Sequence, residues 1–426
     1  MFMVDVWLPY GKTDVCARIP TRNFLGPIEP DKRPCVPDAR SEIERALREP
    51  IASKTLKEIV RPEHDVVIVA DDATRPAPSS LMIPPLLEEL SGAGVRKENI
   101  TIIFGCGTHR PVTDEEAARL LGDEVATQLR IVSHDCRAQD LVYAGRTDKH
   151  RTEVYLNRIF SEADIKILTG DICFHYFAGY GGGRKSVLPG ISGEETIKHN
   201  HKLLLHPDAR KGVLEGNPVN EDMVEAANLA GVDFILNVVT NHDGELVRAY
   251  AGDLDGAFRE GRKLVDEIYR RAADQKADIV VVSPGGHPSD INLFQAYKAV
   301  DNALEVVKRG GAIVLAAECP DGHGNQVFYD WMAKFKDLES IQKAIQRDFV
   351  LGSHKAYYLM RALRKAQIIL VSSMPEYYAQ NAFKLKTARA VNDALDEAFN
   401  ITSKKAKVWA IPYGSSTLPQ VSQSSD

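Results

Sequence analysis

The stretch DVVIVADDATRP, residues 65–76, decides the fold class of this chain. It opens with a run of Val and Ile that is too short for a helix, and polar residues follow the run at once. Such a run predicts a strand that is buried on both faces and ends in a polar loop. Further apolar runs of this kind are NITIIF (99–104), LRIVS (129–133), DIKILTG (164–170) and VDFILNVVT (232–240).

Helical signals separate several of these predicted strands. The capping-box pairs Ser41–Glu44 and Thr113–Glu116 predict helices over 42–49 and 114–121. Strands that alternate with helices form mainly parallel sheets that are covered on both faces. The first part of the chain is therefore predicted to be a doubly wound α/β domain.

A second series of strands and helices follows an amphipathic helix predicted over 255–273. Its predicted strands are 277–283, 311–317, 368–373 and 407–412, and its predicted helices are 291–309, 354–366 and 388–399. We therefore predict two doubly wound α/β domains with mainly parallel sheets, over 1–273 and 274–406, with the active site in the cleft between them. The tail, 407–426, is expected to pack back on the N-terminal domain.

Composition restricts the classes of function. The 426 residues include 53 Lys and Arg against 59 Asp and Glu, and a net charge of −6 argues against nucleic acid or a membrane surface as the main partner. The start of the chain lacks a signal-peptide pattern, and no window approaches the roughly 20 apolar residues that span a bilayer. The six cysteines are scattered without a CxxC pair, which favours a reducing cytoplasm. We expect a cytoplasmic protein.

Ionisable residues collect where the predicted strands end. They are Asp71, Asp72, Thr74 and Arg75 after the first strand, His109 and Arg110 after the next, and those of DICFHYFAGYGGGRKSVLPG (171–190) after a third. In the second domain Gln295 and Lys298 lie three residues apart, on one predicted helix face. Each group alone is typical of a cap, a surface pair or a structural histidine. Their convergence on strand ends predicts a ligand site.

The glycine-rich stretch does not match the standard nucleotide-binding motifs. A phosphate-binding loop needs Gly directly before its Lys, but Arg184 stands between Gly183 and Lys185. No GxGxxG follows a predicted strand, so a dehydrogenase that uses free NAD lacks support. The loop can still offer backbone N–H groups to a phosphate.

Together these motifs resemble the nickel-dependent lactate racemases. The resemblance rests on DDATRP, GTHRP, HYFAGYGGGRKSVLPG, the later His201 and the FQAYK segment, in order and spacing. It extends over residues from about 1 to 400. HYFAGYxGGxK followed by PG is its most specific part.

The resemblance implies a nickel-pincer nucleotide, a pyridinium mononucleotide whose two thiocarboxyl arms hold nickel, attached covalently to Lys185. His201 matches the single protein ligand of the metal, and His109 and His175 match a pair of acid/base histidines. The resemblance also implies cofactor contacts from Asp72, Thr74, Gly182 and Gly183 and substrate contacts from Arg75, Gln295, Lys298, Tyr176 and Phe177.

The implied reaction inverts the hydroxyl-bearing carbon of a small 2-hydroxy acid, by reversible hydride transfer to the cofactor through a 2-keto acid. A C–H bond beside a carboxylate is too weakly acidic for His or Lys alone, so a hydride acceptor suits the task. Two histidines suit the proton transfers, because their unperturbed pKa lies near neutral pH. Proteins that synthesise the pincer cofactor are expected partners in maturation.

Two alternatives stay open at this stage. The substrate could be lactate, malate or a larger hydroxy acid, because Arg184 could admit a second carboxylate and the aromatic side chains Tyr176, Phe177 and Phe294 could favour a bulkier acid. A non-catalytic protein that binds a nucleotide or a hydroxy acid is the other alternative. Such a protein would tolerate loss of one acid/base histidine, and both are present.

Overall fold

The chain contains two compact units in the computed structural model, which describes residues 2–75 and 77–422. Residues 32–267 form one unit. The chain up to residue 31 and the chain from residue 268 onward together form the other. Each unit has its own six-stranded sheet and hydrophobic core.

The described residues form strands and helices in alternation. The strands are β1 (Met3–Tyr10), β2 (Thr13–Pro20), β3 (Phe24–Pro27), β4 (Val66–Ala70), β5 (Ile100–Phe104), β6 (Arg130–Ser133), β7 (Val142–Arg146), β8 (Glu153–Leu156), β9 (Ile165–Asp171), β10 (Phe174–His175), β11 (Gly179–Tyr180), β12 (Phe234–Thr240), β13 (Leu246–Gly252), β14 (Arg270–Ala273), β15 (Ala277–Val282), β16 (Val307–Ala316), β17 (Ala366–Val371), β18 (Lys386–Ala388), β19 (Val408–Ile411) and β20 (Leu418–Val421). The α-helices are α1 (Ala39–Arg48), α2 (Leu56–Ile59), α3 (Ser79–Gly92), α4 (Asp114–Leu121), α5 (Asp123–Gln128), α6 (Arg158–Glu162), α7 (Glu194–Lys202), α8 (Pro218–Ala230), α9 (Leu254–Tyr269), α10 (Leu293–Val306), α11 (Gln326–Lys334), α12 (Leu338–Arg347), α13 (Ser353–Lys365) and α14 (Val391–Ile401).

The sheet of the 32–267 unit has the strand order β13-β12-β9-β4-β5-β6. Its neighbouring strands are parallel except β12 and β13, which form an antiparallel pair. The central strand β4 is buried along its whole length, as its run of Val and Ile predicts. The five predicted strands of this sheet are thus confirmed, and helices α1 to α5 contribute to the core on one face of it.

The register of β4 brings three strand ends to one edge of this sheet. Val69 lies level with Ile103 of β5 on one side and with Leu168 of β9 on the other. The chain therefore leaves all three strands at the same edge, where open α/β sheets bind their ligands. The loops that leave here carry the ionisable residues singled out in the sequence.

One of the two predicted capping boxes is confirmed and the other is wrong. The Thr113 side chain accepts a hydrogen bond from the Glu116 N–H, and the Glu116 carboxylate accepts one from the Thr113 N–H. Helix α1 begins at Ala39, three residues before the predicted start, because Asp38 caps it by accepting from the Arg40 N–H. The Ser41 hydroxyl donates to the Asp38 carboxylate instead of acting as the cap.

The sheet of the second unit has the order β18-β17-β16-β15-β19-β3, and each neighbouring pair is parallel. Helix α14 and the hairpin of β1 and β2 share a core with one face, and α10 and α13 also contact the sheet. The predicted class, α/β with mainly parallel sheets in two domains, is confirmed.

The boundaries of these units differ from the predicted 1–273, 274–406 and 407–426. The segment after residue 406 supplies β19, which lies between β15 and β3 inside the second sheet, so it belongs to the second unit. Residues 2–31 also belong to the second unit. Helix α9 ends at Tyr269, because the next four residues pair with β20 as strand β14. These pairings join distant parts of the chain, so local pattern does not reveal them.

In a chain that ends after Ala406, the second unit is therefore expected not to fold. This chain lacks β19 and leaves β15 and β3 without their common neighbour, which exposes backbone groups and buried side chains such as Ile279. Circular dichroism should show less secondary structure and, during heating, only the transition of the 32–267 unit. A chain that ends at Ser422 keeps every described strand and is the control; equal melting temperatures for the two chains would contradict the strand order.

Candidate active site

The loop after β4 orients one histidine through a buried carboxylate. Asp72 is 3% exposed, and its Oδ1 accepts hydrogen bonds from the N–H and the hydroxyl of Thr74. Its Oδ2 lies 2.7 Å from Nδ1 of His109, which comes from the loop after β5. The carboxylate can only accept, so a neutral His109 carries its proton on Nδ1. Nε2 of His109 is left as the acceptor.

Folding shifts the pKa values of the adjacent residues Asp71 and Asp72 in opposite directions. Burial opposes the charge of Asp72, but the hydrogen bond with His109 and the positive charges of His109 and Arg75 lower the pKa of Asp72 to about 2. Burial raises the pKa of Asp71 to about 7, and the charge of the nearby Asp171 acts in the same direction. The edge of the sheet thus holds one firmly ionised carboxylate beside one that binds a proton readily.

The stretch after β9 holds the second histidine in a tight hairpin. Strands β10 and β11 pair so that His175 lies opposite Gly179. The ring of His175 stacks on Tyr176 and meets Phe177 edge-on, with centroids 4.7 and 4.5 Å away. Nδ1 of His175 lies 3.2 Å from the Ala178 N–H and accepts from it. A neutral His175 therefore carries its proton on Nε2, the opposite arrangement to His109.

Two glycines of this loop are required by space and by backbone conformation. Gly179 has φ +78°, and a Cβ there would lie 2.1 Å from the Val213 carbonyl oxygen. Gly182 also has φ +78°, and a Cβ there would lie 2.8 Å from the Asp171 carbonyl oxygen. Both positions exclude other residues. The loop thus packs closely against its surroundings at both glycines.

The N–H of Gly183 is not available to a phosphate. It donates to Oδ1 of Asn237, a buried side chain inside the apolar strand β12, at 2.9 Å. The predicted cofactor contact from Gly183 stays a prediction, but this N–H group already has a protein partner. A lone Asn within an apolar run is the sequence signal that could have identified this partner.

Arg184 holds the loop together and is not a spare cation. It is 2% exposed, and its guanidinium lies over the Phe258 ring, 4.4 Å from the centroid. Its nitrogens donate to the side chain of Asn220 and to the carbonyl groups of Ala178, Tyr180 and Gly182. Burial lowers the pKa of Arg184 to about 9. The expectation that Arg184 could admit a second substrate carboxylate is therefore wrong.

Lys185 lies on a short 3-10 helix, Gly183–Ser186. Burial lowers the pKa of Lys185 well below its ordinary value, and the charge of Arg75 acts in the same direction. A depressed pKa makes the neutral amine, which is the nucleophilic form, accessible near neutral pH.

His201 lies on α7 and is 6% exposed. Burial lowers the pKa of His201 to about 3, and the charge of Lys185 contributes, which places the two side chains in one electrostatic neighbourhood. Nδ1 of His201 lies 3.2 Å from Oδ1 of Asn200, and the ring also bonds to the Ile197 carbonyl. Because Oδ1 of Asn200 is an acceptor, a neutral His201 ring carries its proton on Nδ1. Among residues 2–75 and 77–422, no group of three or more His, Cys, Asp or Glu could hold a metal ion.

The predicted site residues fall into two groups in the structure. His109, His175, Lys185 and His201, with the loop residues around them, lie in the 32–267 unit. Gln295 and Lys298 lie on the first turns of α10 in the second unit, where Asn292 caps the helix by accepting from the Gln295 N–H. Asp171, Asn200, Asp222 and Asn237 were not singled out from the sequence.

The fold and the site together define an α/β protein with histidines and a half-buried lysine at one sheet edge. Two family models match the chain: the lactate racemase N-terminal domain over residues 10–212 and the lactate racemase C-terminal domain over residues 272–418. The chain belongs to the lactate racemase family, a family of isomerases.

Individual relatives agree with the family models. The lactate racemase of Thermoanaerobacterium thermosaccharolyticum is 34% identical over 98% of this chain and 99% of its own, and that of Lactiplantibacillus plantarum is 33% identical over 97% and 99%. The structure of the Thermoanaerobacterium thermosaccharolyticum lactate racemase apoprotein matches with a TM-score of 0.92 at 32% identity, covering 98% of this chain and 100% of that one. A Thermotoga maritima protein, 19% identical with a TM-score of 0.68, shares the fold over 90% of this chain and 98% of its own. No helix within the described part of the chain is long and apolar enough to cross a membrane.

Asp72→Asn and Asp71→Asn should change the pH dependence of stability in opposite directions. An unfolded aspartate titrates near pH ~3.9. Folding lowers the pKa of Asp72 to about 2, so its ionised form stabilises the fold above pH ~4 and this contribution is lost as pH falls towards 2. Folding raises the pKa of Asp71 to about 7, so its contribution is present below pH ~4 and is lost as pH rises towards 7.

Urea unfolding from pH 3 to pH 8 measures both effects. At pH 7 the free energy of unfolding should fall by about 2–3 kcal/mol in Asp72→Asn, because folding lowers the pKa of Asp72 to about 2, and should rise in Asp71→Asn. The two isosteric variants control for each other, and a parallel response would contradict the assignment.

Proposed function

We propose that this protein interconverts the enantiomers of a small 2-hydroxy acid such as lactate. The observation that carries the proposal is that the two histidines adopt opposite tautomers. When both rings are neutral, Nε2 of His109 is a proton acceptor and Nε2 of His175 carries a proton. Inversion at a hydroxyl-bearing carbon needs one group that takes up the hydroxyl proton and one that returns a proton. The relatives at 33–34% identity are named lactate racemase, which supports the same reaction here.

The donor groups present fit a nickel-pincer nucleotide. Lys185 offers an amine with a depressed pKa, which suits covalent attachment, and a neutral His201 with its proton on Nδ1 offers Nε2 as a ligand atom. A single imidazole leaves the other coordination positions to sulfur from the cofactor, and soft sulfur donors suit nickel. When bound, the cofactor supplies the hydride acceptor that His and Lys lack.

The two histidines move the protons in this proposal. Nε2 of His109 takes the hydroxyl proton while the C–H bond breaks, and the ionised Asp72 stabilises the resulting imidazolium. In its imidazolium form, His175 gives the Nε2 proton to the carbonyl oxygen of the 2-keto acid as the other enantiomer forms, and the ring is left neutral. The roles exchange in the reverse direction. Each histidine is expected to contribute roughly 10²–10⁴-fold in rate.

Arg75 is the proposed partner of the substrate carboxylate. Its guanidinium can bind both carboxylate oxygens, and the charges of Asp72 and Asp71 raise its pKa despite burial, which keeps it charged. Thr74 and Gly182 are proposed as cofactor contacts, with Asp72 beside them. Gln295, Lys298, Tyr176 and Phe177 are proposed as further substrate contacts through the family resemblance.

The structure favours a small monocarboxylic substrate over malate. Arg184 would not supply the charge for a second carboxylate, because it is buried and bonded to three carbonyl groups. Phe177 is 3% exposed and packs edge-on against both His175 and His201. Enlarging the pocket would require this ring to move.

The test is to produce the protein together with the pincer-cofactor synthesis proteins and to measure its intact mass and nickel content. L-lactate and L-malate are then incubated with it and separated by chiral chromatography. We expect one covalent adduct that Lys185→Ala abolishes, and conversion of lactate in preference to malate. His109→Asn and His175→Asn should each keep the adduct and lose roughly 10²–10⁴-fold in rate.

His242→Asn is the matched control, because His242 lies in the turn after β12 beside Asp243 and should leave the rate unchanged. An adduct with nickel but no conversion of either acid would favour a binding protein. Absence of both adduct and nickel would overturn the proposal.

A further inference from the structure

Asn200 has a fixed amide orientation beside the proposed metal ligand. Its side chain is fully buried, and Nδ2 donates to the Val219 carbonyl at 3.1 Å and to Oδ2 of Asp222 at 2.9 Å. Both partners can only accept, so the amide cannot be turned over without setting oxygen against oxygen. Oδ1 must therefore face Nδ1 of His201, 3.2 Å away.

Asp222 is a buried carboxylate held by three neutral donors, two from the turn between β7 and β8 and one from α7. It is 0% exposed. Oδ1 accepts from the Thr147 hydroxyl at 2.7 Å, and Oδ2 accepts from the Thr152 hydroxyl at 2.9 Å as well as from Asn200. A buried carboxylate with three donors is costly to disturb. Its charge also polarises the Asn200 amide, which strengthens Oδ1 as an acceptor.

We propose that Asp222 and Asn200 form a hydrogen-bond relay that holds the proton of His201 on Nδ1 and so presents Nε2 to the metal. The proposal rests on the function proposed above for His201. Asn200 is a positioning residue for the ligand, and Asp222 orients Asn200. Neither residue contacts the metal itself.

The physical reason lies in how a ligating histidine is controlled. The hydrogen bond made by one ring nitrogen sets which nitrogen is free for the metal, and loss of such a partner typically lowers metal affinity roughly 10–100-fold. The Ile197 carbonyl also accepts from the His201 ring, but it belongs to the same helix turn. Through Asn200, the relay connects the His201 ring by hydrogen bonds to α8 and to the turn between β7 and β8. These bonds fix the orientation of the ring.

Two readouts test the relay. Nickel release from the holoprotein into EDTA, followed by elemental analysis, should be roughly 10–100-fold faster in Asn200→Leu. Nitrogen-15 spectra of histidine-labelled apoprotein should show His201 as the Nδ1–H tautomer in the wild type and a mixture in the variant, with His201→Gln used for assignment. Asn200→Ser provides the same two readouts should the leucine variant fail to fold.

Thr147→Val is the matched control. It removes a hydrogen bond of similar length and burial from the same carboxylate, but it leaves the hydrogen bond between Asp222 and Asn200 in place. The relay predicts unchanged nickel release and an unchanged tautomer in this variant. Equal effects of Asn200→Leu and Thr147→Val would show a merely structural role and overturn the relay. If the wild type binds no nickel, the proposed function fails, and the His201 tautomer in the apoprotein alone decides the relay.

Discussion

The parallel register of β4 with β5 and β9 is the constraint on which the site depends. Because Val69 is level with residues of both neighbours, three chains leave the sheet at one edge and their polar loops must share a small volume. The Asp72–His109 pair joins two of these loops, and the hairpin of β10 and β11 follows the third. The fold thus brings together groups that are far apart in sequence.

Crowding of charge at this edge explains the unusual acid–base properties of the site. Asp71 and Asp72 are neighbours in sequence, yet their pKa values move in opposite directions, because one has a histidine partner and the other is buried near Asp171. Burial also depresses the pKa of Lys185 and of His201. Strongly shifted pKa values are typical of functional sites. Arg184 is buried as well, and its role is structural, because it donates hydrogen bonds to three carbonyl groups of the loop.

Local chemistry was predictable from the sequence, and long-range pairing was not. The buried strands follow from runs of Val and Ile, and α4 follows from the capping box at Thr113. The insertion of β19 between β15 and β3 joins residues nearly 400 positions apart, which no local pattern encodes. The histidines and Lys185 were identified by their motifs. Asn200 and Asp222 carry no motif, because their role arises only when α7 and α8 pack together.

The central claim is that one sheet edge holds two histidines whose neutral rings adopt opposite tautomers. Nitrogen-15 spectra of histidine-labelled apoprotein test it most directly. Single substitutions of His109 and His175 by Gln assign the two rings. At a pH where both rings are neutral, the account predicts the Nδ1–H tautomer for His109, through Asp72, and the Nε2–H tautomer for His175, through the Ala178 N–H. The same tautomer for both histidines would contradict it.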